Sequence, residues 1–542
     1  MKIIARYYYI IVIISIFTHG LILINDGIFW DGWMIHGLHN ENDWINLYEI
    51  FSQSGVIFFA YFHRIMGLLP NFILGYRIIA FFSLLLSGIY IYKIGCISGY
   101  LNCNESLFIS LISITYPAYQ VLFEIILVPY IVCYLFFWLA VWVTLISMNS
   151  EKFKRISLRI CSLFCFLISF NVNSLLVFYF GFLFLLFFVF SKKRMRLLSK
   201  NFFILFLNNI DFFFLPFLYW FVKELFFPRH GLYSSYNQFQ TSFHEIFRNL
   251  IIFIKNSVFG QLVNATEVVS NNIAITIFGI LIILLVISRR KPLLEENNLS
   301  NPLIFLLYGF LIFILGILPY ILTGLSPSVY GWSTRHNLLI SLPLAFIIIG
   351  LIRLFFDHKN NFNSFSNMSL FFILFIIFSF SLTMISNHLN WHIRWIKDSS
   401  VMINLSKING AENYSIFLVD DQFIIDKIDN NYRFYEYSSM FENIWGDETR
   451  IGLNKNDKFS KNITKYNRYF TKSYNLSEFN PYGCQALLII TPGYKPSSKL
   501  SFFTQYLYFK YIKPDNLQDF MVDVTRIEIH HIDTPESIDC IL

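Results

Sequence analysis

The chain has 542 residues, 56% of them hydrophobic and 20% aromatic, with 64 Phe. Charged residues make up 14%, against about 25% in soluble domains, which excludes a disordered chain, a collagen-like chain and an ordinary cytosolic enzyme and points to a polytopic membrane protein. The net charge of +7 does not signal nucleic acid, because the basic residues sit mostly in short loops between apolar runs.

A membrane-crossing helix needs about 20 mostly apolar residues. Such runs lie near 7–24, 72–92, 106–122, 125–147, 158–172, 174–190, 202–222, 272–288, 302–323, 337–354 and 369–387, which predicts an α-helical polytopic protein of about eleven transmembrane helices. The pair at 158–172 and 174–190 demands a very tight turn at Asn171, Asn173 and Ser174. The first run is long and no small-residue cleavage site follows it, so it reads as a span and not a cleaved signal. With a cytoplasmic N-terminus, inner segments hold 17 Lys and Arg and the much longer outer segments hold 7. That bias predicts N-terminus in and C-terminus out of the cell's inner or plasma membrane.

Four outer pieces follow: loops at 25–71, 223–271 and 324–336, and a tail beyond 388. The chain therefore divides into a membrane domain, 1–390, and an extracytoplasmic α/β domain, 391–542. The tail carries 19 of the 34 acidic residues. Its runs YSIFLVDD, ALLIITP and FMVDVTRIEI read as strands. WIKDSSVMINLSKI and SSKLSFFTQYLYFKYI read as amphipathic helices. Among seven cysteines, Cys484 and Cys540 fall in the tail and pair if it faces an oxidising compartment.

The first outer loop, NDGIFWDGWMIHGLHNENDWINLYEIF, holds Asp26, Asp31, Glu41, Asp43 and Glu49. Trp30 and Trp33 flank Asp31 and seat it at headgroup level. GVIFFAYFHRIMGLLP reads as an interfacial helix. A carboxylate fixed at the membrane face suits glycosyl transfer from a lipid-phosphate sugar, with an Asp taking the acceptor proton. The departing lipid phosphate needs cations. Candidates are Arg64, Arg77, Arg229, Arg248 and Arg335, of which Arg335, with His336 in SPSVYGWSTRHNLL, opens a late span. The plain alternatives are a solvated headgroup-facing loop and simple interfacial anchoring. His36, His39, Glu41 and Asp43 form an HxxHxExD cluster that could hold a divalent cation such as Mg or Mn, or be an ordinary polar loop. Arg229, His230, Tyr233, Tyr236 and Arg248 form a lid or a plain connection. Asp211 lies inside an apolar span and is expected to bond to Asn208, Asn209 or another helix.

This layout resembles the GT-C superfamily of polyprenyl-phosphate-sugar-dependent membrane glycosyltransferases, including its mannosyl- and arabinosyltransferase-like members, over roughly residues 1–390. NDGIFWDGW resembles their acidic first-loop motif, YRIIAFFSLLLSGIYIYKIG their second span, and STRHNLLISLPLAF a late segment in which an Arg precedes a Leu/Pro-rich helix. The family often shows two adjacent acids, whereas here Gly27 follows Asp26 and Gly32 follows Asp31. The resemblance implies an inverting transferase with Asp31 as base and Asp26 as second choice. It implies a lipid-linked sugar donor, a glycan, lipid or protein acceptor, and a further acid at Glu124, which otherwise reads as an interfacial carboxylate capping the next helix. With the cation argument above, substrate contacts are expected at Arg335, His336, Arg77 and Arg64. The competing classes are an O-antigen polymerase or ligase, a flippase or transporter, and a non-catalytic receptor or assembly factor.

Overall fold

In the computed structural model the described residues are 2–194, 206–234, 238–239, 242–289, 301–357, 365–446, 449–458, 460, 463–468, 480, 482–494 and 498–532. Among them six helices are long and apolar enough to cross a membrane: Arg6–Ile24, Phe72–Ser98, Ile125–Met148, Phe243–Asn271, Pro302–Leu322 and Asn367–Leu405. Four apolar helices are shorter: Cys103–Thr115, Asn173–Leu186, Ile273–Ser288 and Ser341–Phe356. The chain is an α-helical membrane protein with a small C-terminal sheet.

The span count of about eleven is not reproduced. The run at 106–122 stops as a helix at Thr115, because Pro117 forces Tyr116 out of helical backbone (φ −54°, ψ 126°). The run at 158–172 belongs to the helix Lys152–Ser169, whose first turns are exposed and basic. Of the run at 202–222, residues 202–205 lie outside the described residues and 210–222 fall in the helix Ile210–Phe226, which continues through Pro216. Conversely, the expected loop at 223–271 contains the helical run Phe243–Asn271, which includes a π turn at Lys255–Phe259. Its mean hydropathy of 1.2 is the lowest of the six. Glu267 near its end pairs with Lys427 of the tail at 2.9 Å.

The helix Asn367–Leu405 is the mast of the molecule. Its 39 residues span about 58 Å at 1.5 Å per residue, well beyond a hydrocarbon core of about 30 Å. The expected span 369–387 and the amphipathic helix after it are one element, since no Gly or Pro interrupts the sequence. The helix crosses the 390/391 boundary, and Asn387, His388, Asn390, His392, Arg394, Lys397 and Asp398 along it are all buried. Asn387 and His388 face Pro117 and His19 of the bundle, whereas Arg394, Lys397 and Asp398 pack into the tail. A second buried ionic cluster, at the other end of the bundle, joins Arg353 to Glu105 at 2.6 Å and to Asp357 at 3.3 Å. A buried charge is tolerated only when paired.

The tail sheet comprises β1 (Ile416–Asp421), β2 (Ile451–Asn454), β3 (Gln485–Pro492) and β4 (Thr525–Ile532), in the order β2-β1-β3-β4. β1 pairs in parallel with β2 and β3, and β4 closes the edge antiparallel to β3. β1 and β3 match the predicted strands. The run at 520–529 differs. It begins as the helix Leu517–Val524, which buries Met521 and Val524, and becomes a strand only from Thr525. The sheet is bolted to the mast. Lys397 pairs with Asp421, whose other oxygen accepts from Phe423 N at 3.0 Å. Cys484, at the start of β3, is disulfide-bonded, and Cys540 lies outside the described residues.

Candidate functional site

The first loop is held from both sides by aromatic and ionic contacts. Trp30 has a positive φ of 45°, a backbone state costly for a bulky residue unless the surroundings enforce it. Its ring packs against Trp332 at 5.1 Å and Trp391 at 4.7 Å. Its amide donates to Glu436 Oε2 of the tail at 3.0 Å, and the same oxygen accepts from Arg394 Nη2 at 2.5 Å. Burial pushes the Glu436 carboxyl up, while Arg394 and two backbone amides pull it back. First loop, late loop, mast and tail therefore meet at one point, at the end of the bundle here termed the loop face.

Asp31 stands at that point. Its side chain is 27% exposed. The Tyr435 hydroxyl donates to Asp31 Oδ1, and Arg433 Nη1 lies 3.5 Å from the same oxygen. Oδ2 has no protein partner among the described residues. Arg433 also sits over Trp332 at 5.5 Å, and Arg335 lies over the same ring at 4.1 Å. Two guanidinium groups thus flank one indole beside one carboxylate. Burial pulls the Arg433 guanidinium down and Tyr435 and Asp31 push it up, with a net rise, so it is charged throughout. Arg335 is aimed by His336. Its Nε donates to His336 Nε2 at 3.3 Å, so the Nδ1 that lies 3.3 Å from Ser326 O carries the proton. Burial and Arg335 hold that imidazole down at about 3, hence neutral.

Glu124 lies directly beneath. It is fully buried, and neither oxygen finds a hydrogen bond of ordinary geometry among the described residues. It presses on Gly32, where a Cβ would sit 2.5 Å from Oε1. Burial and the Asp31 charge drive its carboxyl well above the usual range, and Arg77 opposes them. Arg77 is itself buried and donates from Nε to Asn25 O at 2.9 Å and from Nη2 to Gly27 O, so it fixes the backbone of the loop. Asp26 is half-exposed and pairs with Lys510 of the tail.

The sequence-derived residues therefore fall into groups. Glu124 packs against Gly32, next to Asp31, while Arg335, backed by His336, is linked to them through Trp332, which packs on Trp30. Arg77 supports them from below, and Asp26 anchors the tail. Arg64 stands apart, donating to Asn42 Oδ1 at 3.0 Å and stacking near Trp44. Arg433 and Tyr435 were not anticipated. They follow a strand in a domain of soluble composition, and only proximity in the fold connects them to the first loop. Asp211 finds its partner on another helix and not at Asn208 or Asn209: Arg159 clasps both its oxygens and itself donates to Asn208 O and Asn209 Oδ1. The HxxHxExD cluster is dispersed. His39 faces Tyr76, Asp43 caps the helix Trp44–Gln53 through Asn46 N, and His36 meets Asn40. Among the described residues no three His, Cys, Asp or Glu converge to hold a metal. Arg248 pairs with Glu245 and His230 approaches Glu49, while Tyr236 lies outside the described residues.

No known protein family, curated protein or solved structure matches the chain.

Proposed function

We propose that the protein is an integral-membrane glycosyltransferase that moves a sugar from a polyprenyl-phosphate donor to a glycan, lipid or protein acceptor. The observation that carries this reading is the meeting of Asp31 with Arg433 while Arg335 shares the Trp332 ring. Asp31 Oδ2 takes the proton of the acceptor hydroxyl or amide as that atom attacks the anomeric carbon. The bond from that carbon to the phosphate oxygen breaks, its electron pair leaves with the phosphate, and configuration inverts. Arg433 and Arg335 carry the charge of the departing lipid phosphate, which guanidinium groups recognise in bidentate fashion. Tyr435 holds the Asp31 carboxylate in place. The half-open position of Asp31 suits an acceptor arriving from water and a donor arriving from the bilayer.

In this reading the loop face lies outside the cytoplasm. The excess of Lys and Arg on the opposite segments supports that orientation, as does the disulfide at Cys484. The test is to reconstitute the protein in liposomes with polyprenyl-phosphate sugars and a cell-envelope extract as acceptor. Release of free polyprenyl phosphate coupled to label in the acceptor is the expected result. The same assay with and without EDTA decides whether a divalent cation takes part.

A further inference from the structure

Away from the loop face the bundle encloses a second, unassigned site. It is a cavity of about 420 Å3, walled by Ile91, Ile94, Trp138, Phe305, Leu342 and Phe346 among others. The hydroxyls of Ser98, Ser106 and Tyr308 in its wall are already used within the protein. Ser98 Oγ donates to Gly95 O at 2.8 Å, Ser106 Oγ to Asn102 O at 2.8 Å, and the Tyr308 hydroxyl to Gly181 O at 3.3 Å. Water gains little in such a space, and close-packed interiors hold few voids larger than one water molecule. The cavity is therefore built for an apolar guest.

Its position tells where the guest comes from. Ile91 and Ser98 lie 14 and 21 residues beyond Arg77 on one helix, about 21 and 31 Å along its axis. The cavity is thus in the half of the bundle remote from Asp31. Ile304 and Leu307, which line it, are 48% and 72% exposed. It opens sideways, through the flank of the helix Pro302–Leu322, onto the hydrocarbon. The same end is basic. Lys93 sits over Trp142 at 4.4 Å, and the helix that carries Trp142 ends at Met148, just before exposed Lys152, Lys154 and Arg155. Such a cluster attracts anionic headgroups.

We infer that this cavity takes one acyl chain of an anionic glycerophospholipid from the leaflet opposite the loop face. A polyprenyl tail anchored by its phosphate at Asp31 would have to cross most of the bilayer to reach it, and 420 Å3 holds only a small-ligand volume. The inference does not rest on transferase activity, because its readout is a covalent adduct.

The experiment reconstitutes the full chain in phosphatidylglycerol vesicles containing a trace of the same lipid with a diazirine on one acyl chain. After irradiation the adducts are mapped by mass spectrometry. The expected adducts fall on 91–101 and 304–311, drop several-fold in Leu342→Phe or Ile109→Phe, and are weaker with a phosphatidylcholine probe. Two variants that fill the cavity from different helices guard against one failing to fold. Adducts spread evenly onto exposed Ile314 and Leu318, outside the cavity wall, and unchanged by filling would overturn the inference. So would equal labelling by the neutral lipid, or preferential labelling by a diazirine polyprenyl phosphate.

Discussion

The Tyr435 hydroxyl donates to Asp31 Oδ1 across 404 residues of sequence. The first loop and the C-terminal region thereby meet directly. Removing only that hydroxyl, in Tyr435→Phe, leaves the ring packing and deletes a hydrogen bond to a charged group, worth about 1.5–3 kcal/mol. The transfer rate is expected to fall by about ten-fold or more, with little change in melting temperature. An unchanged rate would mean that Asp31 needs no positioning from the tail.

Arg433 and Arg335 share one ring, and the proposed phosphate would lie against both. Arg433→Ala and Arg335→Ala should each raise KM for the donor by about ten-fold or more, since each deletes a charge-assisted contact. Their double variant should depart from additivity, as residues that share a partner do. Arg433→Lys should not restore binding, because a lysine lacks the planar fork. Donor titrations of the parent and the four variants check this, and strict additivity would place the two arginines at separate tasks.

Glu124 is a buried acid raised above its ordinary range by burial and by Asp31. Its folded form holds a proton that the unfolded chain releases at lower pH. Stability is therefore full below the unfolded carboxyl range and declines as pH rises toward the folded value. Glu124→Gln, which keeps the shape without the titration, should melt higher than the parent above neutral pH and flatten the pH dependence of melting in detergent. Equal slopes for both proteins would show that Glu124 stays ionised.

Arg394 and Glu436 form the buried pair that pins Trp30. Arg394→Met alone leaves Glu436 buried with less compensation and should cost about 3–5 kcal/mol. Adding Glu436→Gln should return part of that loss. Denaturation of the single and double variants measures the difference, and a double variant worse than the single would contradict the pairing.

The sequence made the membrane character and most of the helices legible, because long apolar runs admit few other structures. Asp31 and Arg335 stand out as charged residues at the ends of apolar runs, whereas only the family resemblance points to Glu124. The run at 520–529 misled, since apolar Phe520, Met521 and Val524 fit a helical face as well as a strand. The mast hid its role for another reason. Arg394, Lys397 and Asp398 look like a solvated helix until Glu436 and Asp421 arrive from the tail to pair with Arg394 and Lys397, with Asp398 facing Arg394 on the same helix. Arg433 and Tyr435 carried no local signal, for their partner is 402 and 404 residues away.

The central claim is that Asp31 is the base. Asp31→Asn keeps the size of the side chain and removes its ability to take a proton, whereas Asp26→Asn disturbs only the contact to Lys510. In liposomes with a polyprenyl-phosphate sugar and its acceptor, Asp31→Asn is expected to lower the rate of transfer by about 10²–10⁴-fold, the usual worth of a general base, with donor binding retained, and Asp26→Asn to lower it far less. Transfer by Asp31→Asn at the rate of the unaltered protein would contradict the account.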